Sequence, residues 1–312
     1  MLVLNPLVGI ALKVISALAF TIMSAGIKSV GADYPIGQIV FFRSAFAIVP
    51  LVLWLGWQGG LIDAVRTHDL RAHILRGIIG SCGMFSGFMA LSFLPLSDAV
   101  AIGYAAPLIT VVLAALVLKE RVRVYRWSAV MVGFVGVLIM LSPHLRPAAS
   151  LSGGAAGPTI GALFGLLGAF CTAGAMIQVR RLTATEKTGA IVLYFSLLTT
   201  CLGLVTILLG WKMPSRIDLA LLVMIGILGG IGQILLTQSY RFADASLVAP
   251  FDYMTMIWAV LIGWFVFGQW PGVEILAGGA VVALAGLFVL WREHKLGLVT
   301  LRRAEAGASR TV

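Results

Sequence analysis

Ten predominantly apolar stretches dominate this sequence: 7–28, 36–57, 74–94, 97–118, 125–142, 160–180, 190–211, 219–240, 246–267 and 272–291. Roughly 20 such residues let a helix cross a bilayer. Inside lipid every backbone amide and carbonyl needs a partner within the protein, which leaves only helices and closed barrels. Barrel strands run about ten residues with alternating polarity, and these runs are too long and too continuous for that. The expected fold is therefore an all-α integral membrane protein with ten transmembrane helices. Of the 312 residues 60% are hydrophobic and 11% charged, against about 45–50% and about 25% in a soluble domain. No segment between runs is long enough to form a soluble core. The first charge, Lys13, falls within the first run, so no basic region ahead of a cleavable signal is expected. Cys82, Cys171 and Cys201 fit neither a disulfide framework nor a zinc spacing.

Lys and Arg set the orientation. The second, fourth, sixth and eighth loops and both termini share one side, with sixteen of the 22 basic residues, Arg66, Arg71, Arg76 and the Lys119–Arg126 group among them. Lys28, Arg146, Lys212 and Arg216 lie on the other. Both termini are expected in the cytoplasm, and the net charge of +10 reads as topology rather than nucleic-acid binding. The tail at 292–312 is expected to be a loosely ordered, solvated basic end.

The chain also aligns with itself. Shifted by 152, residues 9–44 lie on 161–196 without a gap; shifted by 149, residues 77–122 lie on 226–271. Gly77/Gly226, Gly80/Gly229, Gly83/Gly232 and Tyr104/Tyr253 coincide, so glycines match in register. Five spans per half is an odd number, so the second half enters from the opposite face. The division is 7–141 for the first five-helix repeat, 142–159 for an external linker, and 160–291 for the second. Inverted repeats with a substrate site near the midplane characterise secondary transporters.

"LKER" after the fourth span, "FGQWP" after the ninth, "FFRS" around Arg43, "ALSFLPLSDAVAIGYAAPL" and "LVAPFDYMTMIWAVLIGWFVFGQWP" together resemble the EamA family of the drug/metabolite transporter superfamily. The likeness covers about residues 7–291. It implies carriage of organic metabolites such as amino acids, S-adenosylmethionine or riboflavin across a bacterial inner membrane. Gln269 departs from the family's usual second glutamate, which leaves Glu120 without its repeat mate.

The polar residues within the runs are the candidate site. Asp252 lies about 9 Å into the ninth span at ~1.5 Å per residue, where an ionised carboxylate is costly unless paired or wetted. It stands as a substrate or coupling-ion contact, or as a helix-entry acid pairing with Arg241. Pro250 and Pro107 interrupt helical hydrogen bonding in the ninth and fourth spans. Tyr104 and Tyr253 stand at like depth and either sandwich a planar ligand or serve as packing or interfacial-belt aromatics. Arg43, roughly 12 Å deep, binds an anionic group or clamps helix carbonyls. Lys13 is expected to snorkel. Gln178, Gln233, Gln238 and Trp258 are candidate cavity-wall residues, because an amide in lipid needs partners.

No HExxH and no paired Ser and His within a span point to a membrane enzyme. Asp98 and Asp252 fall on opposite sides, which excludes a carboxylate dyad. No cofactor or metal is expected. A flippase for lipid-linked groups stays open, as does monomer versus homodimer. The reading is a metabolite carrier working by alternating access. Riboflavin is the substrate favoured, with amino acids and S-adenosylmethionine as alternatives.

Overall fold

The structure, a computed structural model, describes residues 6–57, 66–117, 124–144, 157–182, 185–242, 251 and 254–308. Eleven α-helices carry the described chain: α1 Pro6–Val30, α2 Ile36–Trp57, α3 Leu70–Phe93, α4 Leu96–Gly103, α5 Ala105–Val117, α6 Val124–Leu141, α7 Gly157–Leu182, α8 Thr188–Val205, α9 Arg216–Phe242, α10 Met254–Phe267 and α11 Val273–Ala308. No strand occurs among the described residues. Six helices are long and apolar enough to cross a membrane, and four shorter apolar ones occupy the remaining runs. The architecture is that of an all-helical membrane protein.

Local chemistry sets the helix ends. Asp69 accepts a hydrogen bond from the Ala72 amide at 3.0 Å and starts α3 four residues before its apolar run. Ser215 caps the start of α9: its hydroxyl accepts from the Asp218 amide at 3.2 Å and donates to the Asp218 carboxylate at 2.7 Å. Gly268, at φ 63°, turns the chain out of α10; its amide reaches the Trp264 carbonyl and the Gln269 amide reaches Gly263. That conformation is cheap only for glycine, which accounts for the glycine in "FGQWP".

The fourth span is broken: α4 ends at Gly103 and α5 starts at Ala105, with Tyr104 as a turn between them. Pro107 has no amide proton, so the carbonyl four residues earlier, that of Gly103, loses its helical donor. The break expected from Pro107 therefore appears one turn upstream of it.

The two halves interleave. α1 lies along α9, and α3 along α7; α2 packs on α9, and α3 on α8; α1 meets α10, and α7 meets α4 and α5. In each pairing the second contact is the first with the halves exchanged. α2 with α8, α4 with α10, and α6 with α11 pair each element with its own counterpart.

Glycines make these approaches possible, since small residues bring helix backbones together in lipid. A Cβ on Gly77 would lie 2.2 Å from Leu198, one on Gly80 2.9 Å from Phe195, and one on Gly83 3.2 Å from Cys171 and 3.3 Å from Thr172. One on Gly226 would meet Phe46 at 2.4 Å, one on Gly229 Arg43 at 3.2 Å, and one on Gly232 Phe20 at 3.1 Å. Leu198, Phe195 and Thr172 lie 152 residues beyond Phe46, Arg43 and Phe20.

The basic tail departs from expectation. Instead of loosening after Trp291, α11 continues to Ala308. The segment is rich in Arg, Glu, Lys, Leu and Ala and lacks proline, so its helix propensity is high. Lys295 also sits over the Trp291 ring, 5.2 Å from its centroid and one turn on.

Candidate functional site

Two guanidinium groups are buried where α2, α3, α8 and α9 meet. Arg43 on α2 is 7% exposed, Arg76 on α3 8%. Arg43 Nε lies 3.2 Å from the place a Cβ would take on Gly229 of α9, so glycine makes room for it. Arg76 stacks over the Phe195 ring of α8 at 3.6 Å. Each arginine of the first half thus rests on a helix of the second. Among the described residues neither has a carboxylate partner. Arg43 Nε and Arg76 Nε and Nη1 are buried without a hydrogen-bond acceptor, and Ser44 Oγ beside Arg43 is likewise unpartnered.

Sequence reasoning singled out Arg43 and missed Arg76, which it counted as a basic loop residue. Arg76 lies in the second turn of α3, facing protein. Sequence depth alone does not separate a residue there from an interfacial charge; the signal was its place seven residues after the helix-starting Asp69. Lys13 departs from expectation too. It is 3% exposed and packed within the bundle rather than reaching an interface, because neighbouring helices surround α1 on that face.

Tyr104 sits at the break of the fourth span, 7% exposed, in an apolar cluster with Leu94, Ile102, Val137, Met140 and Ile275. Its hydroxyl lies 2.6 Å from Thr255 Oγ1 at the start of α10. The tyrosine of one half is therefore tied to the span that carries its repeat mate. That mate, Tyr253, lies outside the described residues, as do Asp252 and Pro250; Pro107 is described only in its helical backbone. Gln178 on α7, Gln233 and Gln238 on α9, and Trp258 on α10 are all half-buried. Gln238 Nε2 and Trp258 Nε1 are donors without acceptors. Gln233 lies one helical turn beyond Gly229, on the α9 face that receives Arg43. Gln178, Gln238 and Trp258 share no described hydrogen bond with the arginine pair.

Polar ties close both ends of the bundle. Beyond the Ile36 end of α2, Tyr34 donates to Asp218 Oδ2 at 2.7 Å, and Ser215 donates to the same oxygen at 2.7 Å. The Gln38 amide bonds the Lys212 backbone in both directions, at 2.8 and 3.1 Å. At the other end, Leu51 and Leu55 pack on Val192. There Glu186 Oε1 accepts from Thr67 Oγ1 at 2.9 Å, from the His68 amide at 2.8 Å and from the Asp69 amide at 3.2 Å. His73 Nε2 lies 3.7 Å from Glu186 Oε2. Tyr34 and Glu186 are 152 residues apart, and Asp69 and Asp218 are 149 apart, the two offsets at which the sequence matches itself. The two ties thus occupy equivalent positions in the two halves.

The EamA-like transporter family matches residues 7–142 and 159–292. An S-adenosylmethionine uptake transporter of Rickettsia prowazekii is 27% identical over 92% of this chain and 94% of its own length. The pseudopaline exporter CntI of Pseudomonas aeruginosa PAO1 is 30% identical over 89% of this chain and 94% of its own. A riboflavin transporter of Vibrio cholerae is 29% identical over 93% and 95%. A solved crystal structure shares the fold, with a TM-score of 0.64 at 18% identity over 92% of this chain and 98% of that one. These relatives are transporters, not enzymes. With its repeated match to the family, its ten apolar segments and its fold all in accord, the chain belongs to the EamA-like transporter family.

Proposed function

We propose that this chain is a secondary transporter that moves a small organic metabolite across the bacterial inner membrane by alternating access. Its two five-helix halves, 7–141 and 160–291, are inverted relative to each other, with both termini cytoplasmic. The single observation that carries this is the pair of equivalent ties at the two ends of α2. Tyr34–Asp218 closes the outer end, and Glu186 with residues 67–69 closes the inner end. A carrier needs one gate on each face, and two gates built from repeat-related positions are what inverted halves supply. The exchange-related helix pairings and glycine contacts support the same symmetry.

The substrate path runs between the halves, past the break at Tyr104, the arginine pair and the half-buried glutamines. Tyr253 and Asp252 complete it, with Asp252 as the coupling contact. S-adenosylmethionine and riboflavin, for which relatives are named, are the first solutes to test.

Exchange of labelled S-adenosylmethionine, amino acids and riboflavin in proteoliposomes, with and without a proton gradient, tests this reading. The expected result is exchange of one solute class, slowed several-fold by Tyr104→Phe and uncoupled from the gradient by Asp252→Asn. Vesicles holding folded protein that exchange none of these solutes contradict it.

A further inference from the structure

Two guanidinium groups buried where α2, α3, α8 and α9 meet, with no carboxylate partner among the described residues, call for an explanation. A guanidinium is never neutralised in practice, and burying one without a partner is strongly unfavourable. A structural arginine in such a position would hold helix carbonyls or a carboxylate. Arg43 Nε and Arg76 Nε and Nη1 are instead buried without an acceptor. Arg43 lies against Gly229 and Arg76 against Phe195, both on the other half. The repeat mates of the two arginines are Phe195 and Ile225, so the pair is one-sided: the symmetry that shapes the scaffold does not demand it. What this place lacks is acceptors.

We infer that Arg43 and Arg76 form a clamp for a carboxylate of the transported solute. Resting on the transporter reading above, this narrows its substrate class to metabolites bearing a carboxylate. Stacking on Phe195 uses the face of the Arg76 guanidinium and leaves its edge to bond in plane. A planar fork fits a planar two-oxygen anion best. The solute's anion then supplies the missing counter-charge only when bound. Its passage brings together helices of both halves, since each arginine is seated on the opposite one. Riboflavin, which has no carboxylate, falls outside this class, whereas S-adenosylmethionine and amino acids fall within it.

The test uses the full chain in detergent and in proteoliposomes. Thermal midpoints are measured with S-adenosylmethionine, methionine and tryptophan at millimolar concentration, with the decarboxylated counterpart of each, with riboflavin and with inorganic phosphate. At least one acid is expected to stabilise the wild type, while its decarboxylated counterpart does not. Arg43→Gln and Arg76→Gln should fold with unliganded midpoints at or above wild type, because each removes an uncompensated buried charge. Both should weaken binding of that acid on the order of 30-fold or more.

Several results overturn the clamp: no stabilisation by any acid, equal stabilisation by acid and amine, or a greater effect of phosphate or riboflavin. A fallen unliganded midpoint with acid binding retained also overturns it and makes the arginines structural. Solute exchange separates the two readings. Decarboxylated amine exchanged as fast as acid refutes the clamp and leaves the carrier standing. Acid bound through the arginines but never exchanged refutes the carrier and leaves the clamp.

Discussion

Glu186 shows how one side chain can tie two helix ends together. Burial works against its charge, but donation from the His68 amide, Thr67 and the Asp69 amide, with the facing His73, outweighs that and holds the carboxyl below its ordinary value. A carboxyl depressed on folding contributes stability that is present above the unfolded value and lost as pH falls through the folded one. The Glu186 tie is therefore charged at neutral pH, and only acid weakens it by protonation. Hydrogen exchange should find the His68 and Asp69 amides with constant protection from about pH 8 to about pH 6, where an ordinary carboxyl is fully ionised. Protection should fall only below that range, and Glu186→Gln should lower it throughout. Loss between pH 8 and pH 6 would contradict this account of the tie. Neither Glu186 nor Arg76 was legible as a site residue in the sequence. One stands in a short loop and the other near a helix start, and both read as ordinary interfacial charges. Their roles come from partners more than a hundred residues away, Glu186 with 67–69 and Arg76 with Phe195. Arg43 was legible because a charge well inside an apolar run has no bland location.

At the scale of the element, helices meet through glycine. A Cβ on Gly226 would stand 2.4 Å from Phe46 and 2.7 Å from the Phe42 carbonyl, and a backbone neighbour does not yield. Gly226→Ala should cost about 1–3 kcal/mol by overpacking, read as a lowered thermal midpoint. Gly87 has nothing within 4 Å of an added Cβ. Gly87→Ala should be neutral or stabilising by up to about 1 kcal/mol through helix propensity, and equal losses at both sites would refute this packing scheme. The broken fourth span offers a second test. Pro107→Ala restores a donor for the Gly103 carbonyl, so it should raise the midpoint, and it should slow solute exchange if the break serves transport as a hinge. A faster carrier would mean that the break has no part in transport. The spans themselves were legible because lipid forces every crossing segment into one apolar helical run. The break lay beyond that signal: proline names the missing bond, and the bend appears four residues upstream at Gly103–Tyr104. The extension of α11 past Trp291 was also missed, since a polar segment gives hydropathy nothing to register.

Across the whole molecule, the matching offsets in the sequence reappear as matched contacts: Phe46 with Gly226 and Leu198 with Gly77, Arg43 with Gly229 and Phe195 with Gly80. The same relation links Tyr34–Asp218 at one end to Glu186 and Asp69 at the other. Interleaved halves of this kind cannot separate as two bodies. The proposed mechanism has them tilt, opening one end as the other closes, with each tie breaking once in every cycle. Paired cysteines test that directly in a background where Cys82, Cys171 and Cys201, all free thiols, are replaced. One pair is Tyr34→Cys with Asp218→Cys, the other Thr67→Cys with Glu186→Cys, each joined by a short bifunctional thiol reagent in proteoliposomes. Solute exchange should stop when either end is joined and return when a cleavable reagent is cut. Full exchange with either end permanently joined would contradict alternating access through this bundle.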